Sequence, residues 1–322
     1  MRISIAMATY NGAKYLQDQL DSFFYQTRQP DELVVCDDGS TDDTLEILEA
    51  FGRQAPFAVH VYRNETNLGC TKNFEKAMSL CTGEIIFLSD QDDVWFCNKI
   101  DTMATTLATR QEIMVLNADL VLADDNLNPS PYTALGQSAA LEYGPEHVVH
   151  GCSTAFRRAW LDFVLPIPAV RAATHDGWIH GLASLLAVRM QLDIPVQYYR
   201  RHRHNTSNWL ASRLTRLTVL DVLRAYGLRD VTDVYRSELE VVGATRSRLA
   251  ASTETLKMLG LSNRQTAAIS TLDRRIKAIN DRITLMAIPR GRRLPRVLEM
   301  WMQGYYRQFS GWKSAVKDML RQ

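Results

Sequence analysis

Three times in the first 100 residues an apolar run breaks into a polar loop and is followed by a helix-patterned segment. Ile3-Ser4-Ile5-Ala6-Met7-Ala8 alternates polar and apolar positions and stops at Thr9-Tyr10-Asn11-Gly12. Tyr15, Leu16, Leu20, Phe23 and Phe24 then share one helical face, in a helix expected to end near Pro30. Leu33–Cys36 and Glu84–Leu88 read as two more strands with the same sequel, and Val59-His60-Val61-Tyr62 lies between them. Strand–loop–helix units in series build a parallel sheet flanked by helices, with their loops gathered along one sheet edge. In open α/β sheets that edge, at the carboxyl ends of the strands, is where ligands bind.

Acids crowd two of those strand ends. After Leu88 come Asp90, Asp92 and Asp93, three carboxylates in four positions ahead of Val94-Trp95. Such neighbours raise one another's pKa unless a cation neutralises them, and an oxygen-only set suits a hard divalent ion, Mg2+ or Mn2+, that also holds phosphates. A solvated acidic turn is the plainer reading. In CDDGSTDDT (36–44), helix capping accounts for Ser40, Thr41, Asp42 and Asp43 but not for Asp37 and Asp38 ahead of the glycine. A carboxylate there can accept a hydrogen bond from the imide N–H of uracil or thymine. In NLGCTKNFEKA (67–77), Asn67 and Gly69 are turn residues, Lys72 and Asn73 open the next helix, and Lys72 reads equally well as solvated.

TYNG (9–12), CDDGSTDDT (36–44), NLGCTKNFEKA (67–77) and LSDQDDVW (88–95), in this order, resemble an inverting family-2 glycosyltransferase of the GT-A fold. The subgroup they most resemble contains bacterial rhamnosyltransferases of surface-polysaccharide assembly such as O-antigen. The resemblance covers roughly residues 1–210 and weakens past 100. It implies that Thr9, Tyr10 and Asp38 hold base and ribose, and that Asp90, Asp92 and Asp93 form the metal and ribose site that binds the diphosphate. Which of those three ligates the ion directly is left open by the motif. The implied donor is a dTDP- or UDP-sugar, with dTDP-rhamnose first. The implied acceptor is a lipid-linked or growing glycan.

An inverting transfer needs a base for the acceptor hydroxyl, and it should come from the second half of the domain. Asp176, in ATHDGWIHG (173–181), resembles the family's base position, and it is also a good N-cap for a helix running to about Met190. His175 is the runner-up, with an ordinary imidazole pKa near ~6.5. In YYRRHRHNTSN (198–208), which resembles the family's closing segment, His202 falls near the diphosphate or metal; a basic surface loop is the other reading, and the one preferred for Arg203 and His204. Gly151 and Cys152 line an acceptor pocket or simply pack. The expected donor site is therefore Thr9, Tyr10, Asn11, Asp37, Asp38, Lys72, Asn73 and Asp90. The expected metal ligands are Asp92, Asp93 and His202, and the expected base is Asp176.

The near-neutral net charge of +1 hides a division: residues 1–199 hold 13 Lys and Arg against 26 Asp and Glu, and residues 200–322 hold 24 against 10. A GT-A domain over 1–210 and a basic helical extension over 211–322 are expected, with helices at 218–228, 237–258 and 263–286 and one more beyond Pro295. That last helix steps Leu298, Trp301, Tyr305, Phe309, Trp312, Val316 and Met319 by three or four among basic residues. Such a stripe suits either the headgroup zone of an anionic bilayer or packing on its own domain or a second copy in a homodimer. No apolar run reaches ~18 residues, and five cysteines without CxxC spacing suggest reduced thiols. A cytoplasmic enzyme, peripheral on the inner membrane face, is the expectation. No nucleic-acid module is present in the motif-bearing half. A sugar nucleotidyltransferase would carry a longer glycine-rich loop, and a dinucleotide oxidoreductase a G-x-G-x-x-G after the first strand. A non-catalytic glycan-binding protein would have no need of both a base pocket and a metal pocket.

Overall fold

In the computed structural model, residues 1–140, 144, 148–203, 205, 212–218, 221 and 231–321 are described. The strands among them are β1 (Ile3–Thr9), β2 (Glu32–Asp37), β3 (Ala58–Arg63), β4 (Ile85–Ser89), β5 (Val94–Trp95), β6 (Val115–Ala123), β7 (Pro129–Thr133), β8 (Thr154–Arg157) and β9 (Arg189–Arg200). They form one sheet in the order β3-β2-β1-β4-β8-β6-β9-β5, with β7 on β6. The β3-β2-β1-β4 half is parallel, as the three strand–loop–helix units require, with Thr9 opposite Asp37 and Met7 opposite Ser89. That register brings the polar loops after β1, β2 and β4 to one edge. Beyond β4 the sheet is mixed: β8 runs antiparallel to both β4 and β6, and β9 runs parallel to β6.

Helices α1 (Ala13–Phe24), α2 (Thr44–Gly52) and α3 (Cys70–Leu80) carry the crossovers. β1, β2 and β4 are buried almost throughout, covered on both faces, although residues 3–8 of β1 read as an alternating strand. Leu16, Leu20 and Phe23 of α1 join Ile5, Met7, Leu33, Val35, Phe87 and Trp95 in the largest core. This helix ends at Phe24 rather than near Pro30. In the second half come α4 (Lys99–Thr109), α5 (Ala134–Ala140), α6 (Leu161–Val164) and α7 (His175–Leu185). Helix α7 stops short of Met190 because Ala187 adopts a φ of 52° and the chain enters β9 at Arg189.

The chain divides into two compact units, Met1–Ile167 with Thr174–Thr218, and Pro168–Ala173 with Val219–Gln322. The second is helical: α8 (Thr232–Ala251), α9 (Thr253–Met258), α10 (Ser262–Met286), α11 (Leu294–Met302) and α12 (Trp312–Leu320). Its core gathers Leu285, Val297, Met300, Tyr306 and Ala315. Two helices expected to be continuous are broken. The 237–258 segment is interrupted at Ser252, and the last helix splits where Gly304 and Gly311 take left-handed backbone at φ 74° and 57°. The helix expected over 218–228 falls almost entirely outside the described residues, as does His204. Among the described residues no helix is long and apolar enough to cross a membrane.

Candidate active site

The acids after β2 are met from within the chain. Asp37 is fully buried and accepts from Thr9 Oγ1 (3.0 Å) and Ser40 Oγ (2.5 Å) on one oxygen, and from Gly39 N (3.1 Å) and Ser40 N (2.9 Å) on the other. A carboxylate offers about four acceptor positions, so Asp37 holds the turn and has none left for the imide N–H expected of it. Among the described residues, Asp38 accepts from Asn64 Nδ2 (2.8 Å) and Leu68 N (2.7 Å) on Oδ1 and from Gly69 N (2.8 Å) alone on Oδ2. One acceptor position therefore remains on Oδ2.

The neighbouring residues tie the loops together. Asn11 Oδ1 accepts from Thr41 N (2.9 Å), and the Asn11 N–H donates to Ser40 Oγ (2.8 Å). Buried Asn73 donates to Cys36 O (2.8 Å) and accepts from Asn64 Nδ2 (2.8 Å), which fixes α3 against the end of β2. Lys72 Nζ is engaged by Glu75 (2.7 Å) and by Ile167 O (2.7 Å). Both α3 residues expected in the donor site thus carry structural contacts instead. Tyr10 differs. Gln91 clasps its backbone in both directions, at 2.9 and 3.0 Å, and leaves its ring half exposed at the sheet edge.

The acids after β4 are held from the far end of the sheet. Asp93 is fully buried, and accepts from Gln197 Nε2 (2.7 Å) and from Arg200 N (3.1 Å) on β9. Behind it Lys99, also fully buried, donates to Gln197 Oε1 (2.5 Å) and Cys152 O (2.6 Å), its ammonium 3.6 Å from the centre of the Trp95 ring. Burial and the Asp92 charge push Asp93 up to about 7. Burial pulls Lys99 down to about 7, against the charges of Asp93 and Asp90. Asp90 rises well above the carboxylate range through burial and the charges of Asp92, Asp93 and Asp176. Among the described residues nothing hydrogen-bonds its carboxylate. A cation bound among these acids would relieve their mutual repulsion.

Asp92 meets His202: its Oδ2 lies 2.7 Å from His202 Nε2. The imidazole stacks on Tyr15 with ring centres 4.5 Å apart, and the His202 N–H donates to Asn205 Oδ1 (2.7 Å). Arg200 pins the same loop, donating to Asp92 O (2.8 Å), Asp125 O (2.8 Å) and Asp18 (2.6 Å). Asp90, Asp93 and Cys152 also bring ligand atoms within 4.8 Å of one another. Burial holds the Cys152 thiol well above its ordinary pKa, and a protonated thiol is a poor partner for a hard ion. Carboxylates with an imidazole fit Mn2+ or Mg2+, and Asp90 with Asp92 are the less encumbered oxygens.

Asp176 opens α7 but does not cap it. Thr174 is the cap, its hydroxyl oxygen 3.1 Å from Gly177 N, while Asp176 Oδ1 takes the same N–H at 2.7 Å. Burial works to raise the Asp176 pKa; His175, the Thr174 hydroxyl and the Gly177 N–H outweigh it and hold it below the usual value. It lies close enough to Asp90 to raise that group. His175 is different. Its ring stacks on Phe74 at 4.1 Å, both ring nitrogens are buried without a hydrogen bond among the described residues, and burial lowers its pKa. Gly151 makes room for it, since a Cβ there would lie 2.7 Å from His175 Nε2.

Sequence reasoning assigns no site role to Gln197, Lys99, Gln91 or Tyr15: Gln197 is 104 positions from Asp93, and Tyr15 reads only as part of an apolar helix face.

Comparison with known proteins agrees with the architecture. Residues 4–165 match Glycosyl transferase family 2. The chain is 37% identical over 210 residues to the dTDP-rhamnosyl transferase RfbG of Shigella flexneri, covering 62% of this chain and 72% of that protein. Of several other curated relatives it spans less than half. In fold it is similar to S. aureus TarS in complex with UDP-GlcNAc, with a TM-score of 0.57, 20% identity, and 94% of this chain and 92% of that one covered. It is also similar to the mannosyltransferase PcManGT from Pyrobaculum calidifontis in complex with GDP-Man and Mn2+, with a TM-score of 0.52, 16% identity, and 85% and 86% covered.

Proposed function

The chain belongs to glycosyl transferase family 2, and from that premise we propose that it transfers a sugar, with inversion, from a nucleoside-diphosphate donor to a hydroxyl of a glycan or lipid-linked glycan. The donor proposed first is dTDP-rhamnose, supported by the likeness to RfbG. The remaining acceptor position on Asp38 takes the imide N–H of thymine or uracil, and the exposed Tyr10 ring offers a flat face to the base. Asp90 faces the ribose and diphosphate.

Asp92 and His202 would hold Mn2+ or Mg2+, with Asp90 and Asp93 completing the acidic surroundings. Once bound, the ion stabilises the negative charge that develops on the departing diphosphate. Asp176 acts on the acceptor. As the hydroxyl oxygen forms its bond to the anomeric carbon, the proton passes to the Asp176 carboxylate, and the bond to the diphosphate oxygen breaks with its electron pair. Asn11, Asp37, Lys72 and Asn73 hold the loops that present the site. The observation carrying the proposal is the approach of His202 Nε2 to Asp92 at 2.7 Å, inside a group of carboxylates raised by burial and mutual repulsion.

A panel of nucleotide sugars, screened for thermal protection with and without Mn2+, tests the reading because ligands that bind the folded state raise its stability. dTDP-rhamnose should protect most, and only with metal. Stronger protection by another UDP- or dTDP-sugar would replace the donor and keep the chemistry. Protection by none, with no hydrolysis of any donor, would leave a non-catalytic glycan-binding member of the fold.

A further inference from the structure

A helix packed on a core normally hides its apolar side and shows its polar one. The last two helices do not. Helix α11 hides Val297 and Met300, yet it also shows Leu294, Leu298, Trp301 and Met302, the last of them 80% exposed. Helix α12 turns Ala315 and Met319 to the core, yet it also buries Ser314 and Asp318 while Trp312, Val316 and Leu320 face out. A polar network fixes that direction. Arg282 grips Asp318 through two bonds of 2.7 Å, Tyr306 OH donates to the same carboxylate at 3.2 Å, and Arg293 donates to Asp318 O at 3.0 Å. With Asp318 anchored inside, Trp312, Val316 and Leu320 are left outside.

The charges around these side chains are mainly basic. Arg290, Arg292, Arg307 and Lys313 are exposed. Of the two acids beyond Pro289, Asp318 is fully buried and Glu299 is paired with Arg296 at 2.6 Å. We propose that α11, α12 and the turns beside them dock on an anionic lipid bilayer, with Trp301, Trp312 and the exposed leucines entering the headgroup zone and the arginines and lysine on lipid phosphates. Tryptophan and leucine flanked by basic groups is the composition that zone selects. A second copy of this chain fits less well, because a two-fold interface built from one patch sets each positive group against its like. The proposal is independent of the donor chemistry, which lies in the other unit.

Cosedimentation of the full chain with phosphatidylcholine vesicles of rising phosphatidylglycerol content tests it. Binding should appear with the anionic lipid and weaken with salt. Trp301→Ser with Trp312→Ser, and separately Arg292→Glu with Lys313→Glu, should each weaken it by about 10-fold or more, with donor hydrolysis and thermal stability retained. Lack of binding by the wild-type chain overturns the proposal, as does binding unchanged in the double-tryptophan variant. It is equally overturned by a concentration-dependent dimer that the tryptophan substitutions dissolve without any effect on vesicles.

Discussion

Two acidic strand ends lie along one edge of the same sheet with β1 between them, and they have opposite fates. After β2, Asp37 and Asp38 collect seven hydrogen bonds on their four carboxylate oxygens from within the loop region, and the pair becomes a clamp for the turns. After β4, Asp90, Asp92 and Asp93 have few internal donors. Burial and mutual repulsion push Asp90 and Asp93 up, and Lys99 behind them is itself drawn toward neutrality. The number of acids does not separate structure from function here. Whether the chain has already satisfied them does, since an unmet group of carboxylates is an electrostatic demand for an external cation.

The sharpest break of this comparison is Asp92→Asn. Losing a ligand that stabilises the leaving group should cost several kcal/mol in the transition state, on the order of 1,000-fold in kcat. The fold should be retained, and steady-state kinetics with saturating Mn2+ read the effect. Asp176→Asn comes next, with a loss on the order of 100-fold in kcat and donor affinity near wild type. If His175→Ala is the crippled variant instead, the base has been assigned to the wrong neighbour. Asp37→Asn should act the other way round: about 2 kcal/mol of stability lost in denaturant unfolding, because an amide cannot accept from all four donors, with metal binding kept.

The smallest effect expected lies at the opposite sheet edge. Buried Glu32 accepts from Ser4 Oγ (2.5 Å), Thr82 N (2.6 Å) and Thr82 Oγ1 (3.0 Å). Burial works to raise its pKa, but these donors hold it below the ordinary 4.5. A carboxylate lowered on folding contributes stability that is present above the unfolded value and lost as pH falls through the folded one. Glu32→Gln should therefore cost about 1 kcal/mol near neutral pH, and the gap from wild type should close in acid below 4.5. A gap that widens in acid would contradict this.

The parallel half of the sheet was legible because its strands are fully buried runs that end in loops of distinctive chemistry. The mixed half was not. β5 has two residues and β8 four, too short to show a period, and β9 carries Pro195 at a register shift. Asp92, His202 and Asp176 were legible as residue types in order, but their neighbours were not. Gln197 reaches Asp93 only through the sheet, and Lys99 carries no local sign of burial. Thr174 rather than Asp176 caps α7, a choice between two good caps two positions apart that backbone geometry makes. In the tail the apolar stripe was visible and its direction was not, because the distant Arg282–Asp318 pair decides which side faces in.

Direct titration of Mn2+ into the metal-free protein, with dTDP present, tests the central contrast most directly. Wild type and Asp37→Asn should bind the ion alike, while Asp92→Asn and His202→Ala should each weaken binding by about 10- to 100-fold or more. Equal binding by wild type and Asp92→Asn, or loss of binding in Asp37→Asn with its fold intact, would contradict the account.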